Sequence, residues 1–550
     1  MTLTSRLRSD NVSLRYPASD EKVVFDTSLL VADGAITTII GPNGCGKSTL
    51  LRALGRLLRP VEGSVVLDGE VIQRYPAKEV ARRLGLLGQQ PQAPHGITVE
   101  DLVHRGRYPH LGFFTAPAAH DDVIVESAMA LAGVDELRDR EVDTLSGGQR
   151  QRAWIAMSLA QDTDLLLLDE PTTYLDMAHQ LEVMELVGEL HEQGKTILLV
   201  LHDLNQAASV SDRIVAMQHG RIVRSGEPSD VIDPDLLQAL YEVECDVFPN
   251  PATGQPVCIP YGKQGIPFAE PNKPSVVRAQ SLSTGYGGQS VVSRQIDVSL
   301  PHGAITTLIG PNGCGKSTLL RTAARLLKPL GGSVLVDGID PHSIGRKALS
   351  RQLGMVIQAA DPPNGFVVED VVAAGRIAHQ TRFKRWTPED AAAVSRAIDT
   401  CGLAELRFRE FDTLSGGQRQ RTWVAMTLAQ DTPVMFLDEP TTFLDIGYQT
   451  EVLDLVYRLN REEGRTVVMV LHDLNMAARY SDYLLVMDEG EIVAFGPPRE
   501  VVTEKLAVEV FDTESRVIED SRTGRPLVLP VRAVKREVLG DPAEQMLVSG

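Results

Sequence analysis

The sequence is poor in cysteine. Five occur, Cys45, Cys245, Cys258, Cys314 and Cys401, with no CxxC pair among them. Cys245 and Cys258 stand 13 residues apart and raise the idea of a disulfide or metal pair. The plainer reading is reduced cytosolic thiols. No apolar run reaches the ~18 residues of a membrane-spanning helix. The longest, LLLL at 165–168 and ILLVL at 197–201, are strand-sized. MTLTSRLRSDN at the start has no apolar core segment, so no signal peptide is expected. The chain is expected to be cytoplasmic, reaching a membrane only through a partner. Long Lys/Arg runs are also missing, and 54 basic against 73 acidic residues leave a net charge of −19. That balance argues against nucleic-acid binding.

What the sequence does have is a repeat. GPNGCGKSTLLR runs from Gly41 to Arg52 and returns letter for letter from Gly310 to Arg321. TLSGGQRQR at 144–152 returns at 413–421, LDEPTTYLD at 168–176 answers LDEPTTFLD at 437–445, and LHDLN at 201–205 returns at 471–475. A period of 269 to 270 residues is far too long for a solenoid and marks a duplicated domain. The expected organisation is a first domain over 1–261, a linker over 262–275, a second domain over 276–534 and a tail over 535–550. The linker GKQGIPFAEPNKPS is rich in proline and glycine and cannot build a core. One repeat on, Cys245 and Cys258 are replaced by Ser515 and Val528, so the second half does without them.

Each half alternates strands and helices, an α/β pattern. AITTIIG (35–41) is a strand ending in a glycine-rich loop. KSTLLRALGRLLRP (47–60) spaces Leu50, Leu51, Leu54, Leu57 and Leu58 as a helix that Pro60 ends. DLLLLDE (164–170) and KTILLVLHD (195–203) read as buried strands with polar C-terminal ends, where ligands of open α/β sheets sit.

The pattern G-x-x-x-x-G-K-[ST] is met by Gly41–Ser48 and Gly310–Ser317. Gly41, Asn43, Gly44 and Gly46, with Gly310, Asn312, Gly313 and Gly315, let backbone N–H groups wrap phosphates. The helix that follows each loop, opening with Thr49 or Thr318 just inside, adds its positive end. Lys47 and Lys316 are placed to reach the β- and γ-phosphates, and Ser48 and Ser317 to ligate Mg²⁺. An apolar strand then ends in two carboxylates, Asp169–Glu170 and Asp438–Glu439. Adjacent strand residues point to opposite faces. One carboxylate can therefore hold Mg²⁺ while the next acts as general base on the attacking water.

LSGGQ after a P-loop and just before LLLLDEP resembles the signature of ABC ATPases, and roughly residues 10–530 look like two of their nucleotide-binding domains in tandem. The resemblance implies, for each half, a RecA-like sheet core with an antiparallel β part and a helical subdomain. It implies ATP and Mg²⁺ as ligands, and it assigns roles. Tyr16 and Tyr286 stand where the family stacks an aromatic on adenine; an exposed loop tyrosine is the alternative. Gln89, or its neighbour Gln90, and Gln358 match the Q-loop that meets Mg²⁺. Asp176 and Asp445 match the D-loop, and His202 and His472 the switch histidine at the γ-phosphate. Ser146 and Gly148, with Ser415 and Gly417, match a signature that serves the ATP held by the other domain. Two composite head-to-tail sites follow, with Glu170 and Glu439 as bases, and neither copy has lost a group.

A finer resemblance, carried by GITVEDLVHRGRYPH (96–110) and LHDLNQA (201–207), is to the ATPases of ferric siderophore, haem and cobalamin importers. It implies a subunit peripheral on the inner face of the plasma membrane. Its partners would be transmembrane permease subunits and, through them, an extracytoplasmic substrate-binding protein. The halves differ most in LGFFTAPAAHDD (111–122) against QTRFKRWTPEDA (380–391), which suits two unlike permease halves. Non-transport tandem ATPases are the other class. They usually carry a long charged linker, an N-terminal cysteine cluster or zinc insertions, none of which this sequence has. One further expectation concerns Cys45 and Cys314 inside the P-loops. The helix N-terminus and adjacent lysine should lower their thiol pKa and make them sites of oxidative inhibition.

Overall fold

The computed structural model describes residues 5–17, 20–89, 93–111, 119–173, 175–262, 275–286, 290–356, 365–380, 386–442 and 444–534. The expected linker, apart from its end residues, and the expected tail lie outside these residues. So do Gln90, Gln358, and parts of the most divergent stretches, residues 112–118 of 111–122 and 381–385 of 380–391.

In each half a six-stranded sheet carries the core. In the first its order is Arg221–Gly226, Arg213–Gln218, Ile36–Ile40, Thr196–Val200, Leu165–Asp169 and Leu84–Leu87. All neighbours are parallel except the first pair. The three central strands are buried along their whole length, which is why they read as unbroken apolar runs rather than alternating ones. The second half repeats the order with Glu491–Gly496, Tyr483–Asp488, Ile305–Ile309, Thr466–Val470, Val434–Asp438 and Leu353–Val356. A small antiparallel sheet accompanies each core, built on Leu7–Arg15 and on Ser275–Tyr286.

The helical piece of each half is inserted between the last-named edge strand and the strand that ends in Asp169 or Asp438. In the first half it comprises Val99–His104, Ala119–Leu131 and Gly147–Ala160. A buried ion pair pins it: Arg107 Nε donates to Asp121 Oδ1 at 2.8 Å and Arg107 Nη1 to the Ala160 carbonyl at 3.0 Å. Arg376, Asp390 and Ala429 repeat both contacts at the same distances.

The helix expected to run to Pro60 stops at Leu54. Arg56 turns left-handed at φ +62°, its N–H meets the Ala53 carbonyl at 3.1 Å, and the Leu57 N–H meets Arg52 at 2.7 Å. That is a Schellman stop, which satisfies carbonyls the helix end would otherwise orphan. Arg325 and Leu326 do the same in the second half. Leu57 is therefore 68% exposed, while Leu58 turns back into the core.

Each half ends in a two-stranded hairpin, Glu244–Pro249 with Pro256–Tyr261 and Thr513–Glu519 with Pro526–Ala533. The hairpins meet each other. Val257, Ile259 and Tyr261 from one and Leu527 and Leu529 from the other form one apolar cluster.

Candidate functional site

Both glycine-rich loops leave a buried strand and open a helix, Lys47–Leu54 and Lys316–Ala323. Gly41 has φ +149°, and a Cβ there would lie 2.2 Å from the Met217 carbonyl oxygen. Gly46 caps the helix at φ +103°, 2.9 Å from Val24 by the same measure. Gly310 and Gly315 repeat these conformations. Gly44 and Gly313 also have positive φ, with open space where a side chain would be. The concave face beside them is thus free for a ligand's phosphates, lined by N–H groups at a helix start. Lys47 Nζ donates to the Gly41 and Pro42 carbonyls at 2.7 and 3.0 Å, and Lys316 does the same to Gly310 and Pro311. Both ammonium groups are held over the loop.

The strand Leu165–Asp169 delivers Asp169, whose Oδ1 accepts from Ser48 Oγ at 2.9 Å. Burial outweighs that bond and pushes the Asp169 carboxyl upward. In the second half Asp438 is instead gripped by Arg321, whose Nε and Nη2 each lie 3.0 Å from Oδ2. Asp438 Oδ1 is buried with no hydrogen-bond partner. An orphaned buried carboxylate oxygen fits a hard divalent cation completed by hydroxyl, phosphate and water oxygens. Ser48 with Asp169, and Ser317 with Asp438, are the pairs that can hold Mg²⁺.

Glu170 and Glu439 do not continue the strand, so strand alternation is not what separates the two acids. Both residues are left-handed, at φ +53° and +54°, and this turn swings the glutamate away from the aspartate. Glu170 Oε1 lies 2.5 Å from His202 Nε2, and its Oε2 accepts from Gln89 Nε2 at 2.5 Å and from Thr173 Oγ1 at 3.3 Å. Burial opposes its charge, yet the hydrogen bond and charge of His202 and the bond from Gln89 hold Glu170 below the ordinary glutamate range. Glu439 is 2.9 Å from His472 and 3.1 Å from Thr442 Oγ1, and it is lowered likewise against its burial. Both glutamates are thus ionised acceptors, each fixed by an imidazole. Thr173 and Thr442 were missed from the sequence, although TT follows each DEP. Arg321 was missed too, although its position in KSTLLR marks the face it lies on.

Tyr16 Oη lies 3.1 Å from Thr49 Oγ1, and Thr318 Oγ1 donates to Tyr286 Oη at 3.5 Å, so both tyrosines flank the start of a P-loop helix. Ser146 and Ser415 cap the helices Gly147–Ala160 and Gly416–Ala429 through capping boxes with Gln149 and Gln418.

The two halves meet at these elements. Asp445 Oδ2 accepts from the Asn43 N–H at 2.9 Å, and Asp176 Oδ2 from the Asn312 N–H at 3.3 Å. Each aspartate also caps the helix behind it through its other oxygen. The signature glycines lie against those same helices: a Cβ on Gly148 would be 3.0 Å from the His179 ring, and one on Gly417 would be 2.7 Å from the Tyr448 ring. Each P-loop therefore touches an aspartate of the other half, next to that half's signature helix. Between the halves lies a cavity of about 1280 Å³ whose wall includes Glu170, His202, Glu439 and His472.

The two P-loop cysteines do not match expectation. Both are buried, and burial pushes each thiol up in spite of Lys47 and Lys316, which pull the other way. Desolvation of the thiolate wins over the nearby charge. Cys245 and Cys258 are free thiols buried in the first hairpin. Among the described residues no helix is long and apolar enough to cross a membrane.

Comparison with known proteins agrees with this geometry. Over 260 residues, 47% of this chain and 95% of the relative, the chain is 49% identical to the ferric enterobactin transport ATP-binding protein FepC of Escherichia coli. It is 48% identical to the petrobactin import ATP-binding protein FpuD of Bacillus anthracis, covering 47% of this chain and 94% of that one. A Methanosarcina mazei chain provisionally named an ABC transporter ATP-binding protein is 30% identical across 90% of this chain and 89% of its own. Among solved structures, an archaeal ribosome recycling factor in complex with a ribosomal stalk protein shares the fold at 22% identity. Its TM-score is 0.64 over 98% of both chains. The family model for the ABC transporter matches residues 24–173 and again 293–442, together more than half of the chain. The chain belongs to the ABC transporter family and carries that family's ATPase domain twice.

Proposed function

We propose that this protein is the ATPase subunit of a membrane importer, hydrolysing ATP at two composite sites to move a ferric siderophore or related iron chelate. The observation that carries the reading is the double contact between the halves. Asn43 with Asp445, and Asn312 with Asp176, bring each P-loop to the other half's signature helix. Site one then combines Lys47, Ser48, Asp169, Glu170 and His202 with Ser415 and Gly417. Site two combines Lys316, Ser317, Asp438, Glu439 and His472 with Ser146 and Gly148.

At each site the loop N–H groups and the lysine bind and orient the triphosphate. The Ser–Asp pair would hold Mg²⁺, whose charge would offset that of the phosphates. The glutamate, kept ionised and aimed by its histidine, accepts the proton of the water that attacks the γ-phosphorus in line. The histidine stays hydrogen-bonded to that glutamate and faces the same cavity. Gln89 at site one joins the glutamate to the edge strand Leu84–Leu87, a route by which a partner on the helical piece senses the site. Closure of the halves on ATP and reopening after hydrolysis is the two-state motion a permease uses.

The siderophore assignment is supported by the half-chain likeness to ferric enterobactin and petrobactin ATPases. The tandem arrangement is supported by the full-length archaeal relative. Affinity purification of the tagged chain from its host membrane tests the reading. Retention of permease subunits, with ATPase activity stimulated in proteoliposomes by a loaded siderophore-binding protein, is expected. Stimulation by a cobalamin-, haem-, peptide- or sugar-loaded protein would redirect the substrate. Retention of ribosomes without permease would replace transport altogether.

A further inference from the structure

The two halves carry different side chains behind the signature glycines. Three residues after Asp176 the first half has His179; three after Asp445 the second has Tyr448. His179 Nδ1 is hydrogen-bonded to Asp176 Oδ1, the carboxylate whose Oδ2 takes the N–H of Asn312 in the second P-loop. The other edge of the ring lies against Gly148, with Cδ2 3.0 Å and Nε2 3.4 Å from where a Cβ would stand. One imidazole thus touches both elements that the first half presents to the second P-loop. Tyr448 packs its ring on Gly417 in the same way, but its only bond to Asp445 is through the backbone N–H, at 3.1 Å.

We propose that His179 is a positioning residue for site two alone, coupling the Gly148 signature turn and Asp176 to the second P-loop in a proton-dependent way. Site one, with Tyr448, has no such dependence. The inference rests on the two-site reading above and deepens it. The groups facing the imidazole are Asp176, Glu182 from its own helix and Arg152 from the signature helix, which is itself 3.3 Å from Glu182. The bond to Asp176 raises His179 above the ordinary histidine range, and burial opposes this without cancelling it. The imidazolium is therefore held to higher pH than in an unpaired histidine, and is lost as pH rises further. The ion pair that holds Asp176 toward Asn312 is lost with it, and ATP capture at site two weakens. The ring is about one-third exposed, at 34%, so the effect is that of a partly screened pair.

The test uses the full chain carrying Glu170→Gln and Glu439→Gln, so that nucleotide binds without turning over. Photolabelling with 8-azido-ATP is read separately on first-half and second-half peptides by mass spectrometry, from about pH 6 to about pH 9, a span that covers the histidine range. Second-half labelling, which reports site two, is expected to fall about two- to fivefold relative to first-half labelling as pH rises, the scale of a partly exposed ion pair. His179→Tyr, a side chain the other half accommodates at this place, should make the two profiles parallel. Tyr448→His should transfer the pH dependence to the first-half label, a gain that a merely structural role would not produce. An unchanged second-half profile in His179→Tyr overturns the proposal. Absence of labelling on either half at every pH would instead refute the ATP-site reading beneath it.

Discussion

The hydroxyl of Tyr261, at the end of the first half's hairpin, donates to Asp520 Oδ1 in the second half at 3.0 Å. Two guanidinium groups of the second half lie over its ring, Arg479 at 4.1 Å and Arg522 at 4.2 Å from the centroid. Arg479 also donates to the Pro260 carbonyl, and Arg522 pairs with Glu244 at 2.6 Å and with Asp246. One repeat on, Tyr261, Arg479 and Arg522 correspond to Val531, Ser209 and Ala252, so the clasp exists on one side only. It lies on the apolar cluster of the two hairpins, remote in sequence from both P-loops. The halves are thereby joined by side chains as well as by the covalent linker.

Removal of the ring should loosen that joint. Tyr261 is 6% exposed, and Tyr261→Ala is expected to cost about 3 kcal/mol, the scale of losing a buried aromatic. Tyr261→Phe, which keeps the ring and loses one hydrogen bond to a carboxylate, should cost only about 1 kcal/mol. Urea denaturation of the two variants checks the difference. With a protease site placed in 263–274 and cut, the wild-type halves should stay together on a sizing column without ATP. Those of Tyr261→Ala should separate.

Substitution of the catalytic-base candidates should separate binding from chemistry. Glu170→Gln or Glu439→Gln should lower turnover by roughly two to four orders of magnitude, the range of general base catalysis. ATP binding should survive, and the closed state should accumulate. Full activity in the double variant would sink the assignment. The same groups have a defined pH signature. Their folded carboxyls lie below the ordinary glutamate value, so their contribution to stability is present above about pH 4.3 and lost as pH falls further. The acid-induced drop in melting temperature below that value should be smaller in the Gln variants.

Most of the site was legible because its chemistry is written in short contiguous motifs. A strand, a glycine-rich turn and a helix start place Lys47 and Ser48 locally, while Asp169, 121 residues from Ser48, ends an apolar strand that the sheet brings beside them. What the sequence hid were effects of burial and of backbone sign. The LLLLDE run looks like a strand to its last letter, but Glu170 is left-handed, and only the folded turn reveals that the base is swung out by φ rather than by alternation. The helix over 47–60 was overextended because Leu57 fits a helical stripe, while the Schellman stop at Arg56 rests on backbone bonds that no side chain announces. The joint at Tyr261 pairs residues more than 200 positions apart, beyond the reach of any local pattern.

The cysteines were misjudged for the same reason, since lysine and helix end are visible in sequence and desolvation is not. With both thiols raised, Cys45 and Cys314 should resist alkylation near neutral pH. Iodoacetamide labelling followed by peptide mass spectrometry should show them reacting more slowly than in denatured chain, because burial disfavours the thiolate. ATPase activity should survive that treatment. Rapid labelling with loss of activity would mean that the loop opens far more readily than its packing indicates.

The unequal treatment of the two magnesium-pair aspartates gives the sharpest distinction between the halves. Asp438 is wholly buried, has one oxygen bonded only to Arg321 within the described contacts and the other without a hydrogen-bond partner. Asp169 has its Ser48 bond, and Arg52 acts on it through charge alone. Loss of Arg321 therefore leaves a buried carboxylate uncompensated, which costs roughly 3 kcal/mol, whereas Arg52→Ala should cost about 1 kcal/mol or less. If the charge on Asp438 is the cause, Arg321→Ala with Asp438→Asn should recover most of the loss, a coupling that a double-mutant cycle measures directly. Mg²⁺ with ATP supplies positive charge to the same carboxylate, so it should raise the melting temperature of Arg321→Ala more than that of the wild type, and chelation should remove the excess. Equal upshifts in the two proteins would place the cation away from Asp438.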